Sequence, residues 1–82
     1  MIPDLEFLVA AKVHTVWANW MNYLFMKCKP NDDGSLTIPK WAVERWRRQS
    51  MTGYDYLEHE ERKSDIELAQ EYISLIEGYN DK

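Results

Sequence analysis

Residues 5–28 read LEFLVAAKVHTVWANWMNYLFMKC, and this stretch holds most of the large apolar side chains of the chain. At about 100° of rotation per residue, its apolar residues fall on one broad helical face and its polar residues fall opposite. We therefore predict a long core helix against which the rest of the chain packs. Its predicted apolar face consists of Leu5, Val9, Val13, Val16, Trp17, Trp20, Met21, Leu24, Phe25 and Cys28. Its predicted polar face consists of Lys12, Thr15, Asn19 and Asn22.

The segment after this helix has the composition of a turn followed by a second helix. Pro30 disfavours helix in the residue before it, and the sequence NDDGS at residues 31–35 is typical of a turn with glycine in the left-handed region. Residues 36–38 are too few to make a sheet, and Pro39 is well suited to open a helix. The loop over residues 30–38 is therefore predicted to hold at most a tiny β-hairpin.

A third helix is predicted after Gly53, where Asp55 and Glu58 have the spacing of an N-terminal capping pair. Its packing stripe is predicted to consist of Leu57, Ile66, Ala69, Ile73 and Ile76, with Leu68, Tyr72 and Leu75 alongside. The predicted fold class is all-α, a compact three-helix domain. This single domain covers residues 1–82, with helices at about 4–29, 39–51 and 57–77.

The composition is that of one small domain. The chain has 82 residues, of which 45% are hydrophobic and 29% charged, and its four Trp and five Tyr can supply a core. Cys28 is the only cysteine, which excludes an internal disulfide and fits a reducing compartment. The N-terminus lacks the cationic region of a signal peptide, and polar residues interrupt each apolar run before it reaches membrane-spanning length. We expect a soluble, cytoplasmic protein with no membrane partner.

The net charge is small, but the charged residues are unevenly distributed along the chain. A net charge of −4 argues against direct, general nucleic-acid binding, which needs a basic surface to displace phosphate counterions. Residues 40–48 are basic, whereas residues 55–71 are rich in Asp and Glu. One basic and one acidic surface are therefore expected.

No catalytic motif is present in the sequence. His14, Cys28 and His59 are the nitrogen and sulfur ligands of note, and they lie in separate elements without the close pairs that zinc sites use. The acidic residues near residue 58 are better interpreted as helix-capping and dipole-stabilising groups than as an acid–base pair. We therefore expect no enzyme activity, no metal and no cofactor.

Two parts of the sequence resemble the ryanodine-receptor (RyR) domain family. VHTVW at residues 13–17 is similar to the opening helix signature of that family, a His followed three residues later by a Trp. GYDYLEHEERKSD at residues 53–65 is similar to a second signature of a tyrosine, a leucine, a basic residue and an aspartate. These residues are Tyr54, Leu57, Arg62 and Asp65.

The middle of the chain departs from the receptor-type pattern. The Gly-Trp-x-Tyr-Gly motif is missing, and NDDGSLTIPKWAVERWRRQSMTGY stands in its place. This middle resembles small phage and prophage proteins that carry the same flanking motifs, over about residues 9–76. The resemblance implies an all-helical fold and a bacteriophage protein acting in the bacterial host cytoplasm.

A ligand-binding surface is our first functional hypothesis. Guanidinium groups can bind phosphate or carboxylate through two hydrogen bonds, and aromatic rings can stack on a planar ligand. Such a site suits a nucleotide-like small molecule, and RyR-like domains are proposed ligand-binding modules. In the competing interpretation the arginines pair with acids of the third helix, the tyrosines fill a helix junction and the histidine lies at the core edge. The candidate residues are His14, Trp17, Trp41, Arg45, Arg48, Tyr54 and Tyr56.

Two further hypotheses involve protein partners. An acidic phage-type protein can block a basic surface of a host defence factor, such as the nucleic-acid channel of a CRISPR-Cas or other nuclease. Alternatively, the width of the apolar face of the first helix suggests a small structural homo-oligomer. The candidate residues for contact with a basic host protein are Glu58, Glu60, Glu61 and Glu67.

Overall fold

The computed structural model describes residues 4–81 and shows three helices with a two-stranded antiparallel hairpin. This confirms the predicted all-α fold class and the tiny hairpin. In chain order the elements are α1 (Leu5–Lys27), β1 (Lys29–Pro30), β2 (Leu36–Thr37), α2 (Lys40–Ser50), a 3₁₀ turn (Tyr54–Tyr56) and α3 (His59–Asn80).

Local hydrogen bonds explain where α1 begins and ends. The Asp4 carboxylate accepts the Phe7 N–H at 2.7 Å, so Asp4 satisfies a backbone donor that the first turn leaves without a helical partner. At the other end, Lys29 is paired with Thr37 across the hairpin. Because this pairing needs an extended backbone, α1 stops at Lys27, two residues before its predicted end.

The hairpin turn requires glycine at one position. Gly34 has a φ of 89°, a left-handed conformation that L side chains rarely adopt. The Asn31 N–H donates to the Ser35 carbonyl at 2.9 Å, and the Gly34 N–H donates to the Asn31 carbonyl at 3.1 Å. The NDDGS sequence therefore forms the turn that its composition predicted.

Side chains reinforce this turn. The Ser35 hydroxyl and the Ser35 N–H both donate to Asp33 Oδ1, at 2.6 and 3.0 Å. These bonds, led by the one from the hydroxyl, lower the pKa of the exposed Asp33 carboxyl below its ordinary value of 3.8. The Asn31 amide donates to Ser35 Oγ and to Thr37 Oγ1, which links the turn to β2.

The start of α3 differs from the prediction. Asp55 lies inside the 3₁₀ turn, where the Tyr56 N–H donates to the Gly53 carbonyl at 2.9 Å. Glu58 is the N-cap residue instead, and its N–H donates to the Glu61 carboxylate at 3.2 Å. The predicted Asp55–Glu58 capping pair is therefore wrong, because the 3₁₀ turn occupies residues 54–56 and moves the N-cap of α3 to Glu58.

The chain is divided into two compact units. The first unit consists of Met1–Trp17 and Glu58–Lys82, and so combines the N-terminal part of α1 with α3. The second unit, Ala18–Leu57, combines the C-terminal part of α1 with the hairpin, α2 and the 3₁₀ turn. The prediction of a single domain stays a prediction.

The packed faces of the helices differ from the predicted ones. In the first unit, Lys12 is half-buried and pairs with Glu71, although it was assigned to the polar face. A lysine can occupy such a position because its aliphatic stem packs while its ammonium group reaches a carboxylate. On the predicted packing faces of α1 and α3, exposed residues include Val13, Trp17, Trp20, Phe25, Ile66, Ala69, Ile73 and Ile76.

Candidate functional site

Four aromatic side chains of the second unit form a cluster centred on Trp46 of α2. The ring centroid of Trp46 lies 5.3 Å from Trp20 and 6.1 Å from Trp41, with interplanar angles of 71° and 65°. Tyr23 stacks on Trp20 at 5.5 Å. The edge-to-face contacts match the quadrupoles of the rings, so they hold the indoles in defined orientations.

The outer rings of this cluster are exposed to solvent. Trp41 is 46% exposed, and Trp20 and Tyr23 are also exposed, whereas Trp46 is half-buried. The Lys27 ammonium lies 5.4 Å from the centroid of the Tyr23 ring, which is within cation–π range. The second unit therefore presents aromatic surface beside a cation.

Two more candidate residues lie in the 3₁₀ turn that follows α2. Tyr54 is 47% exposed and Tyr56 is 85% exposed, so neither ring is buried. The turn is closed by backbone hydrogen bonds from Tyr56 to Gly53 and from Leu57 to Tyr54. The backbone thus positions both rings without burying them.

The basic charge of this unit is concentrated on α2. Four cationic residues and one acidic residue, Glu44, lie within the sequence KWAVERWRRQS. Lys40 and Glu44 form an exposed ion pair at 3.8 Å, and Arg45 and Arg48 each already have an interaction partner. An anionic ligand would therefore bind guanidinium groups that also interact with other groups of the protein.

The remaining ligand-binding candidates, His14 and Trp17, belong to the first unit. Their rings stack at 5.8 Å with an interplanar angle of 27°, and both side chains are exposed. Three residues of separation places them on adjacent turns of α1. Their predicted part in ligand binding stays a prediction.

The acidic candidates are not equivalent. Glu58, Glu60 and Glu67 are exposed, whereas Glu61 is only 7% exposed. Because the Glu61 carboxylate accepts the Glu58 N–H, it serves the start of α3 and does not belong to an exposed acidic surface.

A groove that the sequence did not reveal lies between α1 and α3 in the first unit. It is open and has a volume of about 570 Å³. The Lys12–Glu71 ion pair crosses it, so two of its three charged lining residues are paired with each other, and the third is Glu67. Lys12 and Glu71 are 59 residues apart in the sequence, so no pattern within a short segment predicts their contact. The groove is lined by Leu8, Lys12, Glu67, Gln70, Glu71, Ser74 and Leu75.

The described residues contain neither a metal-ligand cluster nor a membrane-spanning helix. Within residues 4–81, no three His, Cys, Asp or Glu side chains are grouped so that they could hold a metal ion. In the same part of the chain, no helix combines the length and the apolarity needed to cross a membrane.

Comparison with known proteins leaves the family open. No protein-family model, curated protein or solved structure matches this chain. The resemblance to RyR domains therefore stays a prediction that rests on the two sequence signatures. The observations that bear on function are the aromatic and basic surface of the second unit and the acidic and apolar surfaces of the first.

Proposed function

We propose that this chain is a non-enzymatic, RyR-like binding module that captures a nucleotide-like small molecule on its second unit. The observation that carries the proposal is the position of Trp41, which is anchored edge-on to Trp46 at 6.1 Å, remains 46% exposed and lies on a basic helix. On the resemblance alone, we place the protein in a bacteriophage and its action in the host cytoplasm.

The aromatic groups supply the surface for a planar base. Stacking of a base on an aromatic side chain contributes about 1–3 kcal/mol and needs one accessible ring face. Contact with Trp46 restrains the rotamer of Trp41, so less conformational entropy is lost when a ligand stacks on it. Tyr54 and Tyr56 lie in the same unit and offer further exposed rings.

The cations of α2 supply the charge for a phosphate group. A guanidinium has five N–H donors, so Arg45 and Arg48 can keep their present partners and still donate to phosphate oxygens. The Lys40 side chain is 90% exposed, and it can add a further positive charge. Aromatic and cationic groups on one short helix and the turn after it therefore favour an anion with a planar ring.

The test combines native mass spectrometry of the protein purified from its host with titration of adenosine mono-, di- and triphosphate. We expect a retained mass of several hundred daltons, and binding that Trp41→Ala weakens about tenfold or more, the equivalent of one lost stacking contact. Phe7→Ala is the matched control, because it removes an exposed aromatic ring from the first unit. An apo mass together with no binding of any of the three nucleotides would reject the proposal.

A second candidate function is inhibition of a host protein through the acidic first unit. That unit contains ten acidic and four basic residues, whereas the second contains four acidic and six basic residues. A concentrated negative surface can occupy a basic channel that normally holds nucleic acid, as in a CRISPR-Cas or other nuclease. Charge reversal at Glu60 and Glu67 should then abolish inhibition and leave nucleotide binding unchanged. Glu61 is kept, because it caps α3.

A further inference from the structure

A second aromatic platform lies in the second unit, beside Trp41. Trp20 and Tyr23 stack at 5.5 Å with an interplanar angle of 21°, and they are 43% and 37% exposed. They are three residues apart on α1, so they lie on adjacent turns of one helical face. We call these two rings the second platform. A single base stacked on Trp41 does not use it.

Trp46 links the second platform to Trp41. The centroid of its ring lies 6.4 Å from that of Tyr23 and 6.1 Å from that of Trp41. The Tyr23 and Trp41 rings are therefore no farther apart than the sum of these two distances. Two bases joined through one phosphodiester can span this separation when the nucleotides are extended and their bases unstacked.

A cation lies on the second platform. Lys27 Nζ is over the Tyr23 ring, 5.4 Å from its centroid. Within residues 4–81, this ammonium group forms no salt bridge with a carboxylate. Its four-carbon stem is flexible, so the group can move from the ring to a nearby phosphate oxygen. Lys27 therefore marks a ring face that a base can occupy, with a positive charge beside it.

The charges of the second unit favour an anion at this surface. Its ring-bearing helices, α2 and the part of α1 that belongs to this unit, carry five cationic residues and one carboxylate. That carboxylate is Glu44, which pairs with Lys40. Of the other carboxylates in the unit, Asp32 and Asp33 lie in the hairpin turn and Asp55 lies in the 3₁₀ turn.

A mononucleotide would use only part of this surface. Its base stacks on Trp41 and its phosphates reach the cations of α2, which leaves the Tyr23 ring and the Lys27 ammonium without a ligand group. A second base and a linking phosphate would contact both. Successive bases of a nucleotide chain stack on aromatic side chains in this way, and each stacked base strengthens binding. The aromatic surface therefore favours a ligand with two bases.

We propose that the second unit binds a free dinucleotide, in which one base stacks on Trp41, the other stacks on Tyr23, and Lys27 moves from the ring to a phosphate. This inference rests on the proposed function, because it names the ligand class of the same site. The net charge of −4 opposes a longer strand, whose further phosphates would be repelled.

The first experiment titrates the full chain with the dinucleotide pApA and with ADP by isothermal titration calorimetry. ADP has a similar charge, so the comparison isolates the second base. We expect pApA to bind about tenfold tighter or more, because it adds a stacked base. If the two ligands bind equally well, this inference is wrong and the proposed function stands. Binding of neither ligand would reject both.

The second experiment tests the ring of Tyr23. Tyr23→Leu should remove most of the preference for pApA over ADP, whereas Tyr23→Phe keeps the ring and should retain the preference. Damage to the aromatic cluster would weaken both ligands alike, so the ratio of the two affinities separates lost stacking from lost packing. A Tyr23→Leu chain with the full preference would contradict the position of the second base.

The third experiment tests the cation without changing an aromatic ring. Lys27→Gln should weaken pApA binding several-fold, because it removes a phosphate contact. Lys63→Gln is the matched control, since Lys63 is also exposed but lies in the first unit. Equal effects of the two substitutions would overturn the part assigned to Lys27.

A tetranucleotide of the same series distinguishes a free dinucleotide from a segment of a strand. We expect it to bind no more than about threefold tighter than pApA, the statistical gain from its three binding registers. A tetranucleotide that binds about tenfold tighter or more would overturn the assignment to a free dinucleotide and assign the site to single-stranded nucleic acid.

Discussion

Lys12 Nζ lies 2.8 Å from Glu71 Oε1, and this ion pair joins two helices across 59 residues of sequence. The lysine side chain is 23% exposed and the glutamate side chain 58% exposed, so water screens the pair only in part. It also fixes the antiparallel register of α1 and α3 in the first unit. Its contribution to stability can be separated from packing, because both side chains have neutral replacements of similar shape.

A double-mutant cycle of Lys12→Met and Glu71→Gln should show a coupling energy of about 0.5–1 kcal/mol in urea denaturation, decreasing with added salt. The control cycle uses Lys40 and Glu44, an exposed pair at 3.8 Å, for which we expect a coupling of about 0.3 kcal/mol or less. Equal coupling in the two cycles would contradict the part assigned to Lys12 and Glu71.

Gly34 and Gly78 should respond oppositely to alanine. Gly34 has a φ of 89°, so Gly34→Ala should destabilise the chain by about 1–2 kcal/mol even though no atom lies within 4 Å of the new Cβ. Gly78 lies inside α3 with open space around it, so Gly78→Ala should stabilise by up to about 1 kcal/mol. The free energy of unfolding from urea denaturation measures both. A neutral Gly34→Ala would show that the turn can change its conformation at no cost.

The pKa of Asp33 should depend on Ser35. The hydroxyl and N–H of Ser35 lower the pKa of Asp33 below 3.8. Ionised Asp33 therefore stabilises the folded turn above pH 3.8. This stabilisation is lost as the pH falls through the pKa of Asp33 in the folded state. Ser35→Ala removes the leading cause, and it should raise the pKa of Asp33 toward 3.8. Carbon-detected NMR titration measures this value. Ser50→Ala is the control, because the Ser50 hydroxyl donates to the Arg47 carbonyl. This variant should leave the pKa of Asp33 unchanged.

Glu61 should matter more to stability than its neighbour Glu60. Both substitutions to alanine remove one negative charge from the first turn of α3, but only Glu61→Ala also removes the acceptor of the Glu58 N–H. We expect Glu61→Ala to cost about 0.5–2 kcal/mol more than Glu60→Ala in thermal or urea denaturation. Glu61→Gln keeps an acceptor oxygen and should recover part of the loss. Equal effects of the two alanine variants would refute the capping role.

Local sequence patterns predicted the secondary structure well. The NDDGS turn, Pro39 before α2 and the long apolar pattern of α1 depend on residues close together in the chain, and each predicted element is present. The exception is the start of α3, where the 3₁₀ turn at Tyr54–Tyr56 took Asp55 out of its predicted capping position. The candidate ligand residues were also chosen from local chemistry, and the structure adds the contact between Trp41 and Trp46.

The sequence by itself determined three helices, a glycine turn and the uneven distribution of charge, because backbone propensity, turn chemistry and charge are properties of short segments. Only the tertiary structure decided which side of each helix is packed. The apolar residues of α1 and α3 cover faces wider than one neighbouring helix can bury, so helical periodicity leaves several packings open. Packing around the Lys12–Glu71 pair selected one of them, and it left Trp17 and Ile73 exposed.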